Sequence, residues 1–118
     1  MSVAVDMDVI KVLSRDLGNE IILDLVTGAL SDIKSRFYQL ERAFEKEDRR
    51  QICYLAHAIK SNLNTVGAEQ AAEVALSLEQ YSATRSMDQL SATADCLKKL
   101  FAEAEPIILQ YVKSSAVG

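Results

Sequence analysis

Residues 52–66 of the chain read ICYLAHAIKSNLNTV, and their apolar side chains recur at helical spacing. At roughly 100° per residue these side chains fall in one sector of a helix, which predicts a face packed against a core. The only histidine of the chain, His57, projects about 150° from the centre of that sector. We therefore expect His57 on the solvent face of a helix, where its neighbours are Cys53, Tyr54, Lys60, Ser61 and Asn64.

The rest of the chain is also helical in pattern. It contains only four glycines and one proline, and no stretch alternates polar and apolar residues between turns as a strand does. Apolar spacing predicts helices over about residues 6–17, 19–44, 48–66 and 68–81, and a last one from about residue 86 onward. Asp48 with Gln51 and Ser86 with Gln89 are capping pairs for two of these helices. Pro106 predicts a kink or break near residues 102–106.

The number and length of these helices predict an all-α fold. Four amphipathic helices joined by short links bury their apolar faces most simply as an antiparallel up-down four-helix bundle, with the short N-terminal helix as an addition. A chain of 118 residues is long enough for one domain of this kind. We therefore expect a single helical bundle domain over residues 1–118.

Composition argues against several classes of function. The net charge is −4 and no basic stripe with interleaved aromatics is present, so nucleic acid is not an expected partner, and the doublet Arg49-Arg50 is interpreted as a solvated helix start. The longest apolar runs are too short to span a membrane. Cys53 and Cys96 lack metal-ligand spacing, which favours reduced thiols in a cytoplasmic protein and no metal site. The absence of a glycine-rich phosphate loop argues against an ATP-dependent kinase.

The residues around His57 could accept a phosphoryl group. A neutral imidazole is an available nucleophile at physiological pH, and residues three and four positions along a helix are its neighbours. Lys60 brings a positive charge for phosphoryl oxygens, and the Ser61 hydroxyl could add a hydrogen bond. An exposed position on a rigid helix suits a group that another protein must reach.

The segment resembles the signature of histidine-containing phosphotransfer (HPt) domains. That signature has a histidine, a lysine three residues on and a glycine ten residues on, here His57, Lys60 and Gly67. Further along, the family has a leucine followed by an acidic or amide residue, here Leu78 and Glu79. The resemblance extends over almost the entire chain. Where the family most often has glycine directly after the lysine, this chain has Ser61.

The resemblance implies a phosphocarrier without kinase activity of its own. His57 would take a phosphoryl group on Nε2 from a receiver-domain aspartate and pass it to another receiver aspartate. Lys60 and Ser61 would stabilise the phosphoryl group, and Glu79 or Gln80 would hold the other ring nitrogen. The chain itself would need no cofactor, because the receiver domain supplies Mg²⁺.

The expected partners are response-regulator receiver domains and a hybrid sensor histidine kinase. They would dock on a surface of the second, third and fourth helices around His57, which includes Cys53, Tyr54 and Asn64. We expect the carrier to be a monomer. The main alternative is a non-catalytic helical module that binds or inhibits a kinase or receiver. A weaker alternative is a helical oligomerisation domain.

Overall fold

The structure is a computed structural model that describes residues 5–117, and the chain is helical there except for short connections. No strand occurs among these residues, which confirms the all-α class. The helices are α1 (Met7–Leu17), α2 (Asn19–Glu45), α3 (Arg49–Thr65), α4 (Glu69–Tyr81) and α5 (Met87–Val117).

The four longer helices enclose one apolar core. α2 packs against α3 and α5, α4 packs against the same two helices, and α1 packs against α2. The packed faces of these helices contribute mainly aliphatic side chains and alanine to the core. Phe101 adds an aromatic ring that contacts Phe37 edge-on, with 5.4 Å between the ring centroids. The six residues of the core-facing sector predicted in the 52–66 stretch are fully buried: Ile52, Leu55, Ala56, Ile59, Leu63 and Val66.

Side chains close several helix ends in the way the sequence predicts. The Asp48 carboxylate accepts a hydrogen bond from the Gln51 backbone N–H at 3.1 Å. Ser86 and Gln89 form a reciprocal box, each accepting from the other's backbone N–H at 3.1 Å. Each such cap is worth about 1 kcal/mol because it satisfies a donor that the helix itself leaves unpaired.

Of the kink or break predicted near Pro106, the break is wrong, because α5 continues through this residue to Val117. Proline at this position removes the hydrogen bond to the Ala102 carbonyl. Both residues lie on the exposed side of the helix, so water can reach that carbonyl. Buried residues on either side, Phe101 and Ile108, hold the two halves of α5 against the same core.

Gly67 ends α3 and allows the chain before α1 to approach. Its φ of +76° is a left-handed conformation that glycine adopts without a steric penalty. A Cβ there would lie 2.3 Å from the Asp6 carbonyl oxygen, while the Asp6 N–H donates to the Gly67 carbonyl at 2.6 Å. The predicted helix stop is thus confirmed, and the same glycine joins the start of α1 to the connection between α3 and α4.

Candidate functional site

His57 lies on the solvent face of α3, and 60% of its side chain is exposed. Its Nδ1 atom lies 2.9 Å from Oε2 of Glu79, on α4. Within residues 5–117 this is the only hydrogen bond of the ring. The other ring nitrogen, Nε2, therefore has no hydrogen-bond partner among the described residues.

The Glu79 carboxylate joins two cationic or potentially cationic side chains of α3. Oε2 contacts the His57 ring, and Oε1 accepts a hydrogen bond from Lys60 Nζ at 3.0 Å. The Glu79 and Lys60 side chains are only 23% and 22% exposed, so this contact is shielded more than an ordinary surface ion pair. Lys60 is thereby held within one turn of the imidazole.

The ionisation state of Glu79 determines which nitrogen of the neutral His57 ring carries the proton. Burial favours a raised pKa for Glu79, but the hydrogen bonds and positive charges of Lys60 and His57 outweigh it and hold the pKa of Glu79 below its ordinary value of 4.5. At neutral pH the carboxylate can only accept hydrogen bonds. We therefore assign the proton of the neutral ring to Nδ1, which leaves the Nε2 lone pair available to attack.

The contact with the ring is made by Glu79 and not by Gln80. Gln80 follows it on α4 with an exposed side chain that makes no hydrogen bond to His57. Ser61 is also exposed, and its backbone carbonyl accepts from the Thr65 hydroxyl at 3.0 Å. Its own hydroxyl makes no hydrogen bond to another described residue, so it is available to a bound group.

The residues predicted for partner docking differ in exposure. Tyr54 is 65% exposed and Asn64 is exposed. Cys53 is half-buried, and its Sγ lies 3.8 Å from the Glu79 backbone carbonyl. Tyr54 and Asn64 are therefore open to a partner, whereas the Cys53 thiol faces α4.

Two contacts near the site have no signal in the sequence. Arg36 of α2 donates to the Asn62 side chain across the boundary between α2 and α3. Arg49 is half-buried and donates to backbone carbonyls beyond α4, so the interpretation of a solvated helix start is wrong for this residue. Both are long side chains that reach beyond their own helix. In the sequence, a charged residue at the edge of a helix is equally consistent with a side chain in solvent, so these contacts could not be predicted.

The part of the chain that the structure describes holds no group of three His, Cys, Asp or Glu residues arranged to bind a metal ion. Cys53 and Cys96 are both free thiols. None of the helices in this part combines the length and the apolar character that crossing a membrane requires.

Comparisons with known proteins show the family and the fold of the chain. The family model for the Hpt domain matches residues 24–106, a range that includes every residue of the site described above. Among solved structures, the chain is similar to histidine-containing phosphotransfer protein B from Pseudomonas aeruginosa PAO1, with 20% identity and a TM-score of 0.81 over 96% of this chain and 94% of that one. That likeness shows a shared fold. A search of curated proteins found no match. Since the Hpt model spans more than half of its length, the chain belongs to the Hpt domain family of histidine phosphotransfer modules.

Proposed function

We propose that this chain is a phosphocarrier of a two-component multistep phosphorelay, with His57 as the residue that is phosphorylated. The observation that carries the proposal is the exposed imidazole whose Nδ1 is held by Glu79 and whose Nε2 is free. Membership of the Hpt domain family supports the same role.

In the proposed step, the Nε2 lone pair attacks the phosphorus of an aspartyl phosphate on a receiver domain. A P–N bond forms, the P–O bond to the aspartate breaks, and the aspartate leaves as a carboxylate. The ring gains positive charge as Nε2 gives up its lone pair, and the neighbouring Glu79 carboxylate stabilises that charge. The reverse step returns the phosphoryl group to another receiver aspartate.

Lys60 and Ser61 are the proposed partners of the phosphoryl oxygens. Lys60 Nζ is already held beside the ring through Glu79 and is long enough to turn toward a group on Nε2. Ser61 follows it with an exposed hydroxyl. Neither residue has to enter from a distance, which lowers the entropic cost of stabilising the bound group.

The proposed docking surface surrounds His57 and is formed mainly by α2, α3 and α4. Tyr54 and Asn64 supply exposed contacts, and Cys53 lies at the edge toward α4. The occupants would be a hybrid sensor histidine kinase and response-regulator receiver domains, which bring the Mg²⁺ that the step needs. Contact should be small in area and short-lived, because the carrier has to leave one partner to reach the next.

The scaffold that presents this surface is proposed to be a single, monomeric, cytoplasmic domain over residues 1–118. The packing of α2 and α4 against both α3 and α5 supports the antiparallel up-down arrangement of the four longer helices, with α1 added beside α2. The chain carries the phosphoryl group and relies on its partners for kinase activity.

The test is incubation with a receiver domain that carries a radiolabelled aspartyl phosphate. Acid-labile, base-stable label should appear on the wild-type chain and on a Gln80→Ala control, and should be absent from His57→Gln. A non-catalytic interaction module would behave differently. Its binding to the receiver and its effect on the kinase would survive His57→Gln, and the wild type would take up no label.

A further inference from the structure

The segment that follows Glu79 is held by a side chain from the start of α3. Arg49, the first residue of that helix, donates from Nη1 to the carbonyl oxygens of Ser82 at 2.9 Å and Arg85 at 2.7 Å. The last carbonyls of a helix have no partner within the helix, and a cation near that end also interacts favourably with the helix dipole. Arg49 therefore fastens the C-terminal end of α4, and the turn after it, to α3.

Ser82 continues this network to the backbone of Glu79. The Ser82 side chain is buried, and its hydroxyl donates to the Glu79 carbonyl at 2.9 Å. The Cys53 thiol lies 3.8 Å from the same carbonyl oxygen. The backbone of Glu79 is thus contacted from two sides. One contact comes from Ser82, which Arg49 holds, and the other from Cys53, which lies one turn before His57 on α3.

We propose that Arg49 is a positioning residue for His57, acting through Ser82 and Glu79. By fixing the end of α4 against the start of α3, it sets the rotation of α4 that places Glu79, and not Gln80, at the imidazole. Successive residues of a helix point about 100° apart, so the ring contact depends on that rotation. A displacement of about 1 Å would lengthen the 2.9 Å contact beyond hydrogen-bonding distance.

The first readout is the tautomer of the imidazole, followed by ¹⁵N NMR at a pH where the ring is neutral. Because His57 is the only histidine, all imidazole signals belong to it, and the couplings of each nitrogen to the two carbon-bound ring protons distinguish Nδ1 from Nε2. Arg49→Met keeps the aliphatic stem and removes the donors, and we expect it to lower the population with the proton on Nδ1. Glu79→Ala defines the tautomer of an unrestrained ring. Arg49→Lys keeps the charge and should restore part of the wild-type population.

Two controls separate positioning from general stability. Arg50→Met changes the next residue, which is exposed, and should leave the tautomer unchanged. Val112→Ala removes buried atoms from α5 and should lower the free energy of unfolding without changing the tautomer. If Arg49→Met loses stability but keeps the wild-type tautomer, Arg49 only supports the fold and the proposal is wrong. Should Arg49→Met not fold, Ser82→Ala removes the next link and is judged by the same outcomes.

The activity readout rests on the proposed function. If His57 accepts a phosphoryl group, the rate of acceptance from a phosphorylated receiver should fall about tenfold in Arg49→Met, since small misplacements of a reacting group have effects of this size or larger. A wild-type chain that takes up no phosphoryl group would overturn the proposed function. The tautomer measurement would still decide whether Arg49 positions the ring.

Discussion

At the scale of single residues, the site depends on one carboxylate that serves two partners. Glu79 accepts from His57 through Oε2 and from Lys60 through Oε1. Its negative charge therefore both directs the ring proton to Nδ1 and holds the Lys60 ammonium within one turn of the imidazole. An amide could replace the hydrogen bond to the ring, but it could not stabilise the charge that the ring would gain in the proposed transfer.

Glu79→Gln is therefore expected to slow phosphoryl acceptance about tenfold, within the range typical of losing a single electrostatic contact in a transition state. Glu79→Ala should be slower still, because it removes the hydrogen bond as well. Single-turnover transfer from a phosphorylated receiver measures both rates, with Gln80→Ala as the matched neighbour. Equal rates for Glu79→Gln and the wild type would mean that the charge contributes nothing to transfer.

The same carboxylate predicts a pH dependence of stability. Because the pKa of Glu79 is lowered in the folded state, its contribution is fully present above the ordinary value of 4.5 and is lost as the pH falls through the lowered one. The free energy of unfolding of the wild type should therefore decrease more than that of Glu79→Gln between neutral pH and about pH 3. Urea unfolding at several pH values measures the difference. If the free energy of unfolding fell equally with pH in the two proteins, the lowered pKa of Glu79 in the folded state would be contradicted.

The choice between Glu79 and Gln80 marks how far the sequence predicts the site. Residues within one helix have a fixed angular relation, so the exposure of His57 and its proximity to Lys60 follow from their spacing. Which residue of α4 meets the ring depends on how two helices are rotated against each other. That rotation is set by tertiary contacts such as Arg49 with Ser82, which leave no periodic pattern in the chain.

At the scale of elements, helix ends were more predictable than helix continuity. A cap is a contact between residues three positions apart, so Ser86 with Gln89 can be identified from sequence alone. Pro106 predicts an interruption because it removes a backbone donor, yet α5 continues because its core face is buried on both sides of that residue. Burial of the apolar face along a long helix stabilises it more than one lost backbone hydrogen bond destabilises it. The sequence pattern shows both features but does not tell which effect is larger.

Two glycines give a matched prediction at this scale. Gly67→Ala places a methyl group against the Asp6 carbonyl in a backbone conformation that alanine disfavours, and it should cost about 1–3 kcal/mol. Gly28→Ala lies inside α2 with nothing within 4 Å of the added atom, and it should stabilise by about 1 kcal/mol. Urea denaturation measures both changes. A neutral Gly67→Ala would show that the start of α1 can move away from the α3–α4 connection without loss.

At the scale of the whole molecule, the residues of the site and the residues of the core belong to different surfaces of the same helices. Within the described residues, the hydrogen bonds of His57, Lys60 and Glu79 side chains are all made between α3 and α4. The face of α5 that contacts α2 carries Phe101 against Phe37, and it contributes no side chain to those bonds. Stability and phosphoryl acceptance should therefore respond to different substitutions.

Phe101→Ala tests this separation. Removing a buried aromatic ring should lower the free energy of unfolding by about 3–5 kcal/mol, because it loses apolar burial and leaves a cavity beside Phe37. Urea unfolding gives the loss, and an unchanged dependence on urea would show that the folded state remains compact. At a temperature where the variant is fully folded, its rate of phosphoryl acceptance should equal that of the wild type, since α3 and α4 keep their contacts. A slower rate in the folded variant would mean that packing at α5 reaches the imidazole through α4, and the site would then depend on the whole core.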